Sequence, residues 1–358
     1  MHISILSMQR VVNFGSVLQA YSLRQILGEL TDADVTFLDI ASEKLPSQRK
    51  IRETDDYQAP AFYPPGVFQK GKRWVITRLS RKNKAKIRDF MKKELRLSEK
   101  APLNPDFVIV GSDEVFNHAD GIRLQLHGKI PQAKKCFTYA ASCGSAKAED
   151  ILQENLTEVS QAMANFSAVS VRDQATEDYA SALYNGTICR HLDPVLVGDL
   201  GKRAHKSVPF GKYLLVYAYG QRIRTQEEIE AIQAFAKARN LKTVAIGGSQ
   251  FWCDYYVPVS PFRMLDYFYN AQYVVTDTFH GAVFSVLHRK QFAVILRKTN
   301  RNKLTGLLQD LELTDRVAED MNQLESILTK TVNYDQTEMM IQRERVRTRA
   351  YLKEQLGV

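Results

Sequence analysis

The hydrophobic positions along this chain change period again and again. Short runs of β-branched and aromatic residues alternate with stretches whose apolar residues recur every three or four positions. The alternation is clearest over residues 271–296, AQYVVTDTFHGAVFSVLHRKQFAVIL, which read as strand (273–276), tight turn, helix (281–287) and strand (292–296). That is a βαβ unit, and residues 2–8, the turn Asn13-Phe14-Gly15, a helix capped by Ser16 and a strand at 35–40 predict another. Apolar runs at 107–110 and 136–141 predict buried strands that end in small or acidic residues. Leu152, Leu156, Val159, Met163 and Phe166 mark a helix, and 168–171 a strand followed by Arg172-Asp173. Residues 198–212 turn to Gly, Lys, His and Pro without period and read as a linker. Beyond them, strands at 213–217 and 243–246 alternate with helices carrying Ile229, Ile232 and Phe235, then Phe262, Leu265 and Tyr269. This order predicts an α/β protein with two Rossmann-like, doubly wound parallel sheets facing each other across a cleft. The N-terminal domain spans 1–198 and the C-terminal domain 212–335, and a charged helix within 336–358 crosses back to the first.

Residues 41–71, rich in Pro and without a sustained period, read as a long excursion or lid. At 358 residues, with 44% hydrophobic and 25% charged residues, the chain is an ordinary globular one. No apolar run approaches the roughly 20 residues of a membrane-spanning helix. Residues 2–8 lack the basic and apolar segments of a signal peptide, which predicts a cytoplasmic protein. Cys136, Cys143, Cys189 and Cys253 form no CxxC and have no histidine at ligand spacing, so they read as reduced thiols and no metal site is expected. The net charge of +9 is local: residues 70–100 hold thirteen Lys and Arg against three acids. Ile87, Phe90, Met91 and Leu95 form one apolar stripe there, so this basic segment reads as a helical insertion of the first domain. Its charge suits either a solvated face or an anionic partner such as a membrane surface. Nucleic acid is not expected, because no nucleic-acid-binding motif accompanies the charge.

GxGxxG and GxxxxGK[ST] are both absent, which disfavours dinucleotide redox chemistry and phosphate-loop hydrolysis. What remains is a set of polar residues at strand ends: Asn13, Gly15, Ser112, Asp113, Arg172, Asp277, His280, Arg297, Lys298 and Arg301. Helix N-termini and lysine suit phosphate, arginine holds a carboxylate with two bonds, and a histidine there can move a proton near neutral pH. For each residue a structural role stays open, His280 as a hydrogen-bonded ring beside a helix cap and Arg172 as the partner of Asp173 or of a backbone carbonyl.

In chain order, Asn13-Phe14-Gly15-Ser16-Val17-Leu18-Gln19-Ala20-Tyr21, Gly111-Ser112-Asp113-Glu114-Val115-Phe116-Asn117, Tyr139-Ala140-Ala141-Ser142, Ser170-Val171-Arg172, Leu192-Asp193-Pro194 and Thr276-Asp277-Thr278-Phe279-His280-Gly281 resemble the polysaccharide pyruvyl transferase family. The resemblance implies a GT-B-like fold and transfer of the enolpyruvyl unit of phosphoenolpyruvate onto a saccharide, nucleotide-linked or lipid-linked, with no further cofactor. It implies His280, Arg172 and Asp113 as catalytic groups. Donor contacts would come from Arg172, Thr278, His280, Gly281, Arg297, Lys298 and Arg301, and acceptor contacts from Asn13, Gly15, Gln19, Ser112, Asp113 and Asn117. Three positions depart from the family pattern: Thr278 stands where some members have arginine, and Glu114 and Phe116 stand where Gln and Trp are usual. The competing expectations are a GT-B glycosyltransferase using a nucleotide sugar, and a basic membrane- or nucleic-acid-binding module.

Overall fold

A computed structural model describes residues 1–48, 69–99, 101–220 and 222–358. Most of the predicted excursion at 41–71 therefore lies outside the described residues. The first lobe runs β1 (His2–Leu6), α1 (Phe14–Leu30), β2 (Asp34–Phe37), α2 (Gln69–Lys93), β3 (Phe107–Asp113), β4 (Lys135–Ala141), α3 (Gln153–Met163), β5 (Val169–Val171), α4 (Gln174–Ser181), β6 (Ile188–Arg190) and α5 (Pro194–Val197). The second runs β7 (Tyr213–Ala218), α6 (Gln226–Ala238), β8 (Lys242–Gly247), β9 (Tyr255–Tyr256), α7 (Pro261–Asn270), β10 (Tyr273–Thr276), α8 (Phe279–Leu287), β11 (Gln291–Val294), α9 (Arg301–Asp310), α10 (Leu324–Thr329) and α11 (Tyr334–Leu356). The strands form two parallel sheets, ordered β2-β1-β3-β4-β5-β6 and β11-β10-β7-β8-β9. Such sheets need cover on both faces, which explains the continuous apolar runs: Val108, Ile109, Val110, Leu214, Leu215 and Val216 are all fully buried.

Strand order reverses between β1 and β3 in the first sheet and between β7 and β10 in the second. At such a reversal the following helices leave on opposite faces, and a crevice opens at the carboxyl ends of the strands. The cap of α1 lies three residues before the predicted Ser16: Asn13 Oδ1 accepts the Ser16 amide at 2.7 Å, leaving the Ser16 hydroxyl free for another partner. β3 runs on to Asp113, beyond the predicted stop, and the short edge strands β6 and β9 carry too few residues to register as a period.

The lobes share one apolar cluster that includes Leu18, Val195, Phe284 and Leu352, with α5 in contact with α1, α8 and α11. α11 returns to the first sheet, where the Tyr351 hydroxyl donates to the Thr138 carbonyl at 2.8 Å. α2 straps both lobes rather than belonging to the first alone. Ile76 joins the core of the second lobe, the Val259 amide donates to Asn83 Oδ1 at 3.0 Å, and Phe90 packs edge-on against Phe262 at 4.9 Å. Among the described residues no helix is long and apolar enough to cross a membrane, and the four cysteines are unpaired.

Candidate active site

The two strand-order reversals face each other across a cavity of about 310 Å³. The first lobe lines it with Asn13, Phe14, Gly15 and Ser16 at the start of α1, with Asp113 and Glu114 at the end of β3, and with Arg172 after β5. The second supplies residues 217–220 and 247–249, Thr278, Phe279 and His280 at the start of α8, and Lys303 from α9. Ser80, Asn83, Lys84 and Ile87 of α2 close one side. Two helix N-termini, their first-turn amides unpaired within the helix, thus meet in one space and favour an anion.

Asp193 is the hub. Fully buried, it caps α5 through Oδ1, which accepts the Val195 amide at 3.0 Å. Its Oδ2 accepts from Arg172 Nη1 at 2.9 Å and from the Ser112 hydroxyl at 3.4 Å, and lies 3.4 Å from His280 Nε2. The last contact is an ion-pair distance without hydrogen-bond geometry, so the imidazole is steered rather than locked. Burial pushes the Asp193 carboxyl up, but His280, Arg172 and the Val195 amide outweigh it and hold it at about 2. The guanidinium of Arg172 lies 4.0 Å from the Phe279 ring centroid, and its Nε has no hydrogen-bond partner among the described residues. The Asp173 alternative for Arg172 is not what forms: Asp173 caps α4 by accepting the Thr176 amide at 2.9 Å.

Gly15 sits beneath the imidazole. A Cβ there would collide with the His280 ring, so glycine lets α1 and the ring approach. The Ser16 hydroxyl freed by Asn13 donates to Asp113 Oδ2 at 2.5 Å, and Asp113 holds a backbone φ of 81°, rare outside glycine. Across the cleft, Lys303 pairs with Glu114, which also accepts from Asn117 Nδ2 at 2.7 Å. Burial opposes both charges, yet Lys303 brings Glu114 down to about 2 and Glu114 raises Lys303.

Several expected residues lie elsewhere. Gln19 is fully buried, donating to the Ser7 hydroxyl at 2.9 Å, and that hydroxyl donates to the Ser112 carbonyl at 2.7 Å; Gln19 and Ser112 therefore brace the end of β3 from below instead of lining the cavity. Gly281 does not lie open to a ligand: the group that requires its missing Cβ is the Thr276 hydroxyl. Thr278 lines the cavity with its hydroxyl engaged as the α8 cap, accepting the Gly281 amide at 2.9 Å. The basic cluster after β11 turns away. Arg297 donates to Glu228 at 2.6 Å and lies 3.6 Å from Asp277, Lys298 is exposed, and Arg301 pairs at the surface with Glu319 at 3.2 Å. Asp277 is buried behind α8, where desolvation lifts its carboxyl to about 6 against the pull of Arg297 and Arg222. From this part of the second lobe the cation that reaches the cleft is Lys303, two residues after Arg301 and hence about 200° further round α9. Asn117 lines a second cavity of about 540 Å³ on the first lobe, which shares Asn13, Ser16, Asp113, Glu114 and Tyr219 with the first. Among the described residues no cluster of three or more His, Cys, Asp or Glu is arranged to hold a metal.

Two Rossmann-like lobes facing each other across such a cleft define the GT-B arrangement. The chain belongs to the polysaccharide pyruvyl transferase family, whose sequence model matches residues 13–299, and is therefore a transferase. Among solved structures it is similar to Arabidopsis thaliana UGT89C1 complexed with UDP-L-rhamnose, with a TM-score of 0.50, 14% identity, and coverage of 100% of this chain and 99% of that one. It is also similar to Methanocaldococcus jannaschii UDP-GlcNAc 2-epimerase, with a TM-score of 0.48, 11% identity, and coverage of 96% and 99%. A Thermobaculum terrenum O-GlcNAc transferase mutant gives a TM-score of 0.45 and 11% identity over all of this chain, which spans 66% of that protein. No curated protein matches.

Proposed function

We propose that this transferase moves the enolpyruvyl unit of phosphoenolpyruvate onto two hydroxyls of a saccharide, releasing phosphate and leaving a pyruvate ketal, in the synthesis of a cell-surface or secreted glycan. The observation that carries the reading is the convergence of Arg172, His280, Lys303 and two helix N-termini on one cavity. Phosphoenolpyruvate is a small trianion. Its carboxylate suits the Arg172 guanidinium, and its phosphate suits the helix amides with Lys303 released from Glu114. His280 delivers a proton to the methylene carbon, making C2 cationic, with Asp193 behind it to stabilise the charged ring once it regains a proton. One saccharide hydroxyl adds to C2, the C2–O bond to phosphate breaks, and the second hydroxyl closes the ketal. Of the two hydroxyl protons, one balances that on the new methyl group and the other leaves on phosphate. Asp113 stands where the two cavities join and is the base for the attacking hydroxyl; the cavity holding Asn117 takes the acceptor.

Incubation with phosphoenolpyruvate and a panel of nucleotide-linked and lipid-linked saccharides tests this. Phosphate release that depends on both substrates is expected. Turnover of nucleotide sugars, with phosphoenolpyruvate left intact across the panel, would overturn it in favour of glycosyl transfer.

A further inference from the structure

The inward face of α2 is accounted for by Ile76, Asn83, Ile87 and Phe90, and the outward face is not. Residues 72–93 hold ten Lys and Arg and one acid, Asp89, which pairs with Lys93 at 3.2 Å. Arg78, Arg81, Lys82, Lys86, Arg88 and Lys92 are exposed, and among the described residues no carboxylate pairs with them. Arg78, Lys82 and Lys86 repeat every four residues, as do Lys84, Arg88 and Lys92, so each row sets like charges one turn apart and weakens the helix that carries it. Near the start of the same face Trp74 is 64% exposed, with the Arg78 guanidinium 5.6 Å from its ring centroid, and Val75 beside it is 47% exposed. An indole of this kind, polar at one edge and apolar elsewhere, suits the boundary between lipid headgroups and acyl chains.

We propose that the outward face of α2 docks on an anionic lipid bilayer, with Arg78, Arg81, Lys82 and Arg88 among the headgroups and Trp74 inserted at the boundary. Charge complementarity selects this occupant: a helix of 25 residues, about 37 Å long, offers one line of cations to a plane of anions. Nucleic acid fits less well, because the face is convex and carries a single aromatic side chain in place of a stacking platform. Ser80, Asn83 and Lys84, one flank further round the same helix, line the cleft, so docking holds the mouth of the cleft at the membrane surface. A lipid-linked saccharide would then enter from that side, a consequence that alone rests on the pyruvyl-transfer reading. Lipid binding itself is read without turnover.

The test is sedimentation of the full chain with vesicles of phosphatidylcholine, alone or with about one third phosphatidylglycerol, at about 0.1 M salt, where surface charges still act over roughly 10 Å. Binding to the anionic vesicles only is expected. Each cation near such a surface is worth about 1 kcal/mol, or roughly fivefold, so the Arg78→Gln/Arg81→Gln/Lys82→Gln/Arg88→Gln variant should bind at least about 50-fold more weakly, with an unchanged circular dichroism spectrum. Brominated lipid should quench Trp74, while Trp252 in the second-lobe core stays shielded. The proposal is overturned by equal binding to neutral vesicles, by no binding, by the variant binding like the parent, or by an oligonucleotide displacing the vesicles. Should the variant misfold, the parent protein decides: absence of brominated-lipid quenching overturns the proposal.

Discussion

Replacing Asp193 with Asn probes the hub of the site. Both oxygens of the carboxylate accept from donors, Oδ1 from the Val195 amide and Oδ2 from Arg172 Nη1, so an amide in their place must turn its NH₂ toward one of them. Either the cap of α5 is lost, or two donors confront each other beside a guanidinium that is 4% exposed as a residue. Removing one charge from a buried pair costs roughly 3 kcal/mol, the remaining partner being left uncompensated. For 358 residues that corresponds to a fall of about 4 °C in Tm, taking roughly 2.1 cal/mol/K of unfolding entropy per residue. Activity should fall further, by about 10²-fold or more, because the same change releases His280 and Arg172 together. The pH dependence has a definite sign. The carboxyl is held at about 2 against an ordinary 3.8, which contributes about 2 kcal/mol. That stability is present above about pH 4 and lost as the pH falls through about 2, so the gap between parent and variant should narrow over that interval. Thermal unfolding against pH, run beside phosphate release from phosphoenolpyruvate, measures both effects. In an Arg172→Met background the stability cost of Asp193→Asn should shrink by at least about 1 kcal/mol, since the guanidinium it compensates is gone. An unchanged Tm with parental activity, or a cost that is the same in both backgrounds, would refute the reasoning.

Gly15→Ala puts a Cβ into the His280 ring while improving a helix position by up to about 1 kcal/mol, so turnover should drop about tenfold or more with little or no loss of Tm; parental turnover would contradict the contact. Lys303→Met should raise the KM for phosphoenolpyruvate at least about tenfold, as read from initial rates. It also leaves Glu114 buried without its cation: the stability that the lowered Glu114 carboxyl gives the parent above about pH 4.5, and that is lost as the pH falls through about 2, is missing in the variant, so the gap in Tm between the two should narrow over that interval, as thermal unfolding against pH would reveal. Lys298→Ala/Arg301→Ala, by contrast, should leave that KM within about twofold, because both side chains face away from the cavity.

The fold was legible because parallel strands buried on both faces must be written as apolar runs, and the helices between them as apolar residues three and four apart. The stretch 273–287 carries both patterns, and it sets His280 at the start of a helix. The site was legible only where a strand end dictates position, as for Asp113, Arg172 and His280. Side-chain direction was not. Arg301 and Lys303 are chemically alike and two residues apart, yet only the second reaches the cleft, and which of them does so depends on how α9 is turned against its lobe. Asp193 was visible as part of a motif but not as the partner of Arg172 and His280, since neither sequence separation nor residue type reveals a contact made between two strand ends of one lobe or between lobes. The glycines misled in a related way. Gly281 answers to a neighbouring threonine hydroxyl, and Gly15 to the imidazole itself.

The most direct test of the central claim, that the cleft seats phosphoenolpyruvate, is calorimetric titration of the protein with phosphoenolpyruvate and, separately, with UDP-sugars. Saturable one-to-one binding of phosphoenolpyruvate, weakened at least about tenfold by Lys303→Met and retained in the presence of UDP-sugars, is the predicted result. Tight binding of a UDP-sugar with none of phosphoenolpyruvate would contradict it.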